Sequence, residues 1–328
     1  MNLRTLLLVI LILPGLLAAC TTGPALANAA TALPWPSPTP TVQVVVPSPS
    51  LAAVSTQTQQ AGAPLAPTSP VETPALAAVS ATPTGWQGLP IIPTVSDRAR
   101  AIYLSGISQG NNAHAFSKIG DCESQAVWYL TDFDHGAGAY SLGPYQYLQS
   151  VIDYFPGSFA RISMAARPSF NAASLMSPLW AERAVCQPDE SPLACEVRIW
   201  RPSLALVMLG TNDSPRPASF EGNLRKVLDY LIAQGVLPVL ATKADNLEGN
   251  GSINVTIARL AAEYDLPLWN YWRATQPLPK HGLQPDGAHL TNGPNHFDDS
   301  KAMESGWAVR NLTALQALDA VWQGVTHK

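Results

Sequence analysis

Three short polar clusters in the sequence carry the groups that acyl transfer requires. They read Gly120-Asp121-Cys122-Glu123-Ser124, Gly210-Thr211-Asn212-Asp213 and Asp286-Gly287-Ala288-His289-Leu290. A nucleophile at the start of a helix gains from the positive end of the helix dipole, and an asparagine N–H can stabilise an oxyanion. An aspartate three residues before a histidine can hold the imidazole so that its other nitrogen acts as a base. Together the clusters predict a site for acyl transfer.

Each cluster follows a segment that is predicted to be a β-strand. Apolar and alternating runs predict strands at residues 115–119, 160–165, 204–209, 236–240 and 266–269. Apolar residues at helical spacing predict helices at residues 96–108, 145–154, 218–234, 253–264 and 302–322. This alternation predicts an α/β protein with a doubly wound parallel sheet. Such sheets form their sites at the carboxyl ends of the strands, so we expect the three clusters to converge.

Over residues 96–328 the sequence resembles the SGNH (GDSL) hydrolase superfamily. The second and third clusters match that family's Gly-x-Asn-Asp and Asp-x-x-His blocks, and Gly120-Asp121 begins a block that is Gly-Asp-Ser in the family. The resemblance implies a flavodoxin-like three-layer fold and an esterase, lipase or carbohydrate deacetylase that uses no metal. It also implies specific roles: oxyanion donor for Asn212, base for His289, orienting partner for Asp286, and support around the oxyanion for Gly120, Asp121, Gly210 and Asp213.

Two positions depart from the family's pattern. Cys122 stands where the family has its nucleophilic serine. The family's second-block glycine, which lends an N–H to the oxyanion, has no clear counterpart in residues 165–171, where Pro168 lacks an N–H and Ser169 can still donate one. A free thiol with a pKa near about 8.5 is already partly thiolate at neutral pH, so Cys122 can serve as the nucleophile. Ser124 is the alternative nucleophile.

The remaining cysteines help to interpret Cys122. Cys186 and Cys195 flank a predicted loop, and outside the cytoplasm we expect them to form a disulfide. Cys122 is then left over, and an odd thiol is either reactive, here beside His289, or an inert core residue. The second possibility leaves open a catalytically inactive domain that acts as a glycan-binding or surface-binding module.

The first residues predict export and attachment to a membrane. A positively charged start at residues 1–4 precedes an apolar run at 6–17, which is typical of a signal peptide over residues 1–19. The run ends in Leu17-Ala18-Ala19-Cys20, which resembles the bacterial lipobox, where the cysteine is acylated. An ordinary secretory peptide with a chance cysteine is the alternative. The lipobox predicts a protein held by lipid on Cys20 at a bacterial cell surface or in the periplasm.

Residues 20–95 predict a disordered tether. Residues 21–95 hold 14 of the chain's 30 prolines and a single charged residue, Glu72. Such a segment has no periodic apolar face to bury and stays extended. One domain, residues 96–328, is expected to follow the tether.

The charge pattern excludes one class of partner. The formal net charge is -4 and no block of Lys or Arg is present, whereas nucleic-acid binding needs a basic surface. Residues 281–299 are rich in His and Asp, but their spacings match no familiar set of metal ligands. We therefore expect neither a metal nor another cofactor, and a substrate that is a small ester or an acylated glycan.

Overall fold

The computed structural model describes residues 85–125 and 127–327. The predicted signal peptide, Cys20 and most of the predicted tether lie outside the described residues. All described residues belong to one compact unit. No helix among them combines the length and the apolar character that crossing a membrane requires.

A sheet of four parallel strands lies at the centre of this unit. The strands are β1 (Asn112–Gly120), β2 (Pro202–Met208), β3 (Leu237–Ala241) and β4 (Leu268–Trp269). They lie side by side in the order β1-β2-β3-β4. Gly120 pairs with Met208 where β1 and β2 end, and Ala241 pairs with Trp269 where β3 and β4 end. The carboxyl ends therefore share one edge, and the predicted α/β class with a parallel sheet is confirmed.

The apolar runs form strands because helices cover them on both sides. Every residue of β2 and of β3 is buried, as expected for a parallel sheet between helices. Pro238 lies inside β3 although it has no N–H for pairing. Alternate residues of a strand face the same neighbour, and the N–H of Leu240 faces β4 by bonding to the carbonyl of Pro267. The missing donor of Pro238 therefore faces the same side, before β4 begins.

Seven α-helices surround the sheet in the described part of the chain. They are α1 (Asp97–Ser108), α2 (Gln149–Tyr154), α3 (Pro192–Trp200), α4 (Pro217–Ala233), α5 (Ser252–Tyr264), α6 (Tyr271–Thr275) and α7 (Gly306–Thr326). Helix α1 packs against α7, and α4 packs against α5. The predicted helix at 302–322 begins later, because the Ser305 hydroxyl accepts the Ala308 N–H and caps α7 there. Residues 143–148 are a 3₁₀-helix, so the predicted helix at 145–154 is α-helical only from Gln149.

The predicted strand at residues 160–165 is wrong. Backbone donors in this segment bond to side chains, as the Met164 N–H does to Glu196 Oε2 at 2.8 Å. Its backbone meets β1 at the Ala165 carbonyl, which accepts the Gly120 N–H, and the isolated bridge between Ala166 and Gly120 follows directly after it. Side-chain acceptors replace the partner strand here, so the apolar pattern alone did not produce a ladder.

The folded domain begins before the predicted boundary at residue 96. The carbonyls of Trp86 and Ile91 each accept a hydrogen bond of 3.0 Å from Asn270, one from its side chain and one from its backbone. The Trp86 ring is buried and meets the ring of Trp272 edge to face. The tether predicted for residues 20–95 therefore extends too far, because its last aromatic and aliphatic residues bury apolar surface against the domain.

Candidate active site

The first cluster forms a tight turn after β1. Residues Cys122–Ser124 form a 3₁₀-helix, and Asp121 caps it by accepting the Glu123 N–H at 3.0 Å. A Cβ on Gly120 would lie 2.3 Å from Ser124 Oγ and 2.4 Å from the Met208 carbonyl oxygen. The glycine therefore lets the chain turn directly against β2. This turn leaves Cys122 half-buried at the carboxyl edge of the sheet.

The third cluster fixes the histidine through Asp286. Asp286 Oδ2 lies 2.6 Å from His289 Nδ1, and Asp286 Oδ1 accepts the N–H groups of Ala288 and His289 at 3.0 and 3.1 Å. Gly287 has a φ of +70°, which closes this short turn. Burial opposes ionisation of Asp286, yet the bonds from His289 and the backbone outweigh it and hold the pKa of this carboxyl below its ordinary value.

The two loops bring Cys122 and His289 together. Cys122 Sγ lies 4.0 Å from His289 Nε2. Because Nδ1 bonds to the Asp286 carboxylate, the hydrogen-bond pattern assigns the ring proton to Nδ1 and leaves Nε2 as the acceptor that faces the sulfur. The side chain of His289 is 34% exposed, so solvent reaches this pair. The structure thus assembles a Cys–His–Asp relay that an external substrate can approach.

The second cluster lies beside the first because β2 pairs with β1. Gly210 has a φ of +126°, and a Cβ there would lie 2.5 Å from Ile253 Cγ2, so only glycine fits. Asn212 Nδ2 donates to the Phe170 carbonyl oxygen at 2.9 Å. An amide nitrogen carries two N–H groups, so this bond fixes the side chain and leaves the second N–H to another acceptor. Asn212 is half-buried in the 3₁₀-helix Thr211–Asp213.

Asp213 joins this cluster to the loop that contains Ser169. Asp213 is buried, and both of its carboxylate oxygens lie 3.2 Å from the Ala172 nitrogen. Burial raises the pKa of Asp213 to about 6. Ser169 has a φ of +68°, and the N–H of Phe170 bonds to the Arg167 carbonyl around it. This is the turn geometry that favours glycine, and none of the hydrogen bonds in the described part of the chain uses the Ser169 N–H.

Ser124 is not placed to act as an alternative nucleophile. Its side chain is 1% exposed, and its hydroxyl accepts a hydrogen bond of 3.2 Å from Arg310 Nη2. The 3₁₀ turn points Ser124 into the protein while Cys122 faces the edge of the sheet. The prediction of Ser124 as a backup nucleophile is therefore wrong.

Two charged residues at the site were missed by the sequence analysis. Glu123 is buried, and burial raises its pKa to about 7 although Arg310 opposes the rise. Arg310 of α7 is fully buried, with its guanidinium 4.1 Å from the ring centre of Tyr129 and 5.2 Å from that of Trp307. The available signal was a basic residue within the mostly apolar sequence of residues 306–318.

A buried ionic cluster stabilises the loop after β2, which carries Thr211 and Asn212. Lys243 Nζ lies 2.6 Å from Asp245 Oδ1 and 2.7 Å from Glu248 Oε2. The Thr211 hydroxyl donates to Asp245 Oδ2 at 2.7 Å. Thr211 directly precedes Asn212, so the loop after β3 fixes the loop that carries the amide.

Cys186 and Cys195 form a disulfide that joins a loop to α3. Glu190 lies beside them, and these three residues are a group of possible metal ligands in the described part of the chain. Both sulfur atoms belong to the disulfide, so neither offers the thiolate that a metal would bind. Among the described residues, Cys122 is the cysteine outside this disulfide.

Comparison with protein-family models finds none that matches this chain, and comparison with curated proteins finds no match either. What the site can do therefore follows from its own geometry. A histidine with a carboxylate partner faces a thiol, and an amide donor and an unused backbone N–H lie on the two neighbouring loops. Such a set can deprotonate the thiol and bind the negative charge that forms on a carbonyl oxygen.

Proposed function

We propose that this protein is an ester hydrolase that acts through Cys122, His289 and Asp286. The observation that carries the proposal is the continuous relay from Asp286 Oδ2 to His289 Nδ1, at 2.6 Å, and from His289 Nε2 to Cys122 Sγ, at 4.0 Å. A relay of this kind lets one base take a proton from the nucleophile and later give it to the leaving group. The half-buried position of Cys122, against a histidine whose side chain is 34% exposed, also differs from that of an inert core thiol.

The proposed reaction has two halves. His289 Nε2 takes the thiol proton, and the Cys122 sulfur bonds to the ester carbonyl carbon, which moves negative charge onto the carbonyl oxygen. The C=O bond then re-forms, the bond to the alkoxy oxygen breaks, and the alcohol leaves with the proton from His289. Water, deprotonated by His289, next attacks the thioester, and the carboxylic acid leaves while the sulfur recovers its proton.

The oxyanion of this reaction needs donors at the edge where β1 and β2 end. The second N–H of Asn212 and the backbone N–H of Cys122 are the proposed donors, and the unused N–H of Ser169 is a third. The bond from Asn212 to Phe170 supports this role, because it fixes the amide before the substrate arrives. Such preorganised donors each contribute on the order of 3 kcal/mol to catalysis in related chemistry.

We also propose that the fold is a flavodoxin-like three-layer fold of the SGNH type. The bridge between Ala166 and Gly120 supports it, because it brings the chain to one side of β1 before the chain crosses to β2 on the other side. In doubly wound sheets ligands bind at such a reversal. Cys122 follows β1 and Asn212 follows β2, so both flank the reversal point.

The proposed setting is outside the cytoplasm, on a lipid anchor at Cys20. The disulfide between Cys186 and Cys195 supports this setting, because such bonds persist in oxidising compartments. The proposed substrates are small esters or the O-acyl groups of extracellular glycans. The exposure of His289 and Asp286, at 34% and 48% of their side chains, suits acyl groups that project from a larger molecule.

Release of p-nitrophenol from short-chain p-nitrophenyl esters tests the proposal. We expect the parent protein to turn over, Cys122→Ala and His289→Asn to fall to the background rate, and Cys122→Ser to keep only weak activity. Glu304→Gln, which changes an exposed carboxylate elsewhere, should match the parent and serves as the control. No turnover by the parent would contradict the proposal. In that case, strong turnover by Cys122→Ser would indicate a site adapted away from hydrolysis, and none by either would favour a binding module.

A further inference from the structure

The side chain of Glu123 connects the loop of the nucleophile to the loop of the base. Glu123 directly follows Cys122, and its Oε1 accepts the backbone N–H of Leu290 at 3.3 Å. Leu290 directly follows His289. The bond therefore joins the neighbours of the two residues whose Sγ and Nε2 atoms must meet, and it does so on the buried side of the pair.

Arg310 holds this connection in place from α7. Its Nη1 donates to the Glu123 carbonyl oxygen and lies 3.6 Å from Glu123 Oε2, and its Nη2 donates to Ser124 Oγ at 3.2 Å. The guanidinium is itself fully buried between the rings of Tyr129 and Trp307. One cation thus fixes both the backbone of the nucleophile turn and the carboxylate that reaches the histidine loop.

We propose that Glu123 is a positioning residue that sets the separation and the charge balance of the Cys122–His289 pair. This inference rests on the proposed function. The two oxygen atoms of the Glu123 carboxylate make different contacts. Oε1 accepts the Leu290 N–H, and Oε2 faces Arg310. In the described part of the chain, no other side-chain hydrogen bond joins a residue adjacent to Cys122 with a residue adjacent to His289.

The charge of Glu123 matters because the pair it serves must separate charge. When the thiol gives its proton to His289, an imidazolium forms, and a buried carboxylate nearby stabilises it. The titratable groups that face Glu123 are Asp121 in its own turn, His289, Arg310 of α7 and Tyr271 of α6. Asp286 is exposed, whereas Glu123 is buried and, above its pKa of about 7, adds a second negative charge that acts on the imidazole.

Two variants separate the hydrogen bond of Glu123 from its charge. Glu123→Gln keeps an oxygen acceptor for the Leu290 N–H but removes the charge, whereas Glu123→Asp keeps the charge but shortens the reach by one methylene. Glu196→Gln is the matched control, because Glu196 is also fully buried and paired with an arginine, Arg161, but bonds to neither catalytic loop. The first measurement is the rate of Cys122 alkylation by iodoacetamide against pH, which requires no ester turnover.

We expect Glu123→Gln to move the thiolate limb of the alkylation profile upward by about one pH unit, because the imidazolium loses a partner. We expect Glu123→Asp to lower kcat for p-nitrophenyl acetate by about 10-fold with little change in KM, because positioning is lost but substrate contact is not. Glu196→Gln should leave both readouts at parental values. Near-ultraviolet circular dichroism identifies any variant that does not fold, in which case the other Glu123 variant decides.

Parental alkylation profiles and parental kcat in the folded Glu123 variants would overturn the inference, as would equal shifts in Glu196→Gln. If no protein hydrolyses esters but Glu123→Gln still shifts the alkylation profile, the proposed function fails and the coupling by Glu123 stands. If the parent hydrolyses esters and the Glu123 variants do so equally well with unshifted profiles, the proposed function stands and this inference fails.

Discussion

The sulfur of Cys122 makes different geometric demands from a serine hydroxyl. A separation of 4.0 Å from His289 Nε2 suits a thiol, because sulfur is large and its hydrogen bonds are long. A hydroxyl on the shorter C–O bond would remain roughly 1 Å beyond ordinary hydrogen-bond reach. The loops are therefore spaced for a cysteine, which is the physical reason to expect weak activity from Cys122→Ser.

Ser169 allows a test of the turn that the family's glycine would occupy. Its φ of +68° costs a side chain about 1 kcal/mol relative to an unstrained conformation, and glycine does not carry this cost. We expect Ser169→Gly to raise the free energy of unfolding by about 0.5 kcal/mol in urea titrations, since the entropy that glycine loses on folding offsets part of the gain. Ester turnover should persist, because the backbone N–H remains.

Ser177→Gly is the control for that substitution. Ser177 has an extended backbone with a φ of -106°, which any residue adopts, so glycine should lower stability there. A Ser169→Gly protein that is destabilised as much as Ser177→Gly would show that the turn carries no strain.

Among the secondary-structure elements, the positions of the site's loops were predictable where the preceding strand is a continuous apolar run. Strand β2 and the cluster after it were found because a buried parallel strand leaves a strong local pattern. Strand β1 was predicted only over residues 115–119, because the buried Ser117 and Lys118 interrupt its apolar pattern. The meeting of Cys122 with His289, and the place of Asn212 on the loop after the neighbouring strand, then followed from the rule that sites lie at the carboxyl edge of such a sheet. The disulfide was predictable from cysteine spacing and compartment.

What the sequence did not reveal depends on partners far apart along the chain. The false strand at residues 160–165 bonds to Glu196, 32 residues from Met164. Glu123 contacts Arg310, 187 residues away, so its local sequence did not indicate that its charge is buried. Local periodicity carries no information on such pairs, and the burial of Ser124 was missed for the same reason.

In the molecule as a whole, buried ionisable groups determine how the free energy of unfolding changes with pH. Burial raises the pKa of Asp121 to about 6, of Glu123 to about 7 and of Asp213 to about 6. Their unfolded values are 3.8 for Asp and 4.5 for Glu, so the folded state binds more protons between those values and about pH 7. The stability that these protons contribute is present at low pH and is lost as the pH rises through the folded pKa values.

Lys118 changes the stability of the protein above about pH 7. Burial, with help from Arg161, lowers its pKa from 10.5 to about 7. Between these values the unfolded chain binds the extra proton, so stability rises with pH. We therefore expect the free energy of unfolding, from urea titrations between pH 5 and pH 9, to pass through a minimum near pH 7. The decrease from pH 5 to pH 7 should be on the order of 4 kcal/mol, at about 1.36 kcal/mol for each proton and pH unit.

Lys118→Met tests the alkaline limb of that profile. Lys118 donates to the carbonyl oxygens of Tyr129 and Phe159, and methionine fills similar space without a charge. The variant should lose the rise in stability above pH 7 and keep the fall below it. A parent protein whose stability increases steadily from pH 5 to pH 7 would contradict the assignment of the buried carboxyls.

Direct capture of the acylated cysteine tests whether Cys122 is the nucleophile. The protein is mixed with p-nitrophenyl acetate, quenched with acid within the first turnover, digested and mapped by mass spectrometry. We expect an acetyl group on the peptide that contains Cys122, formed much faster than in His289→Asn or in urea-unfolded protein, and lost again at the rate of turnover. Steady hydrolysis with no acetyl group on Cys122, or with the acetyl group on another residue, would contradict this expectation.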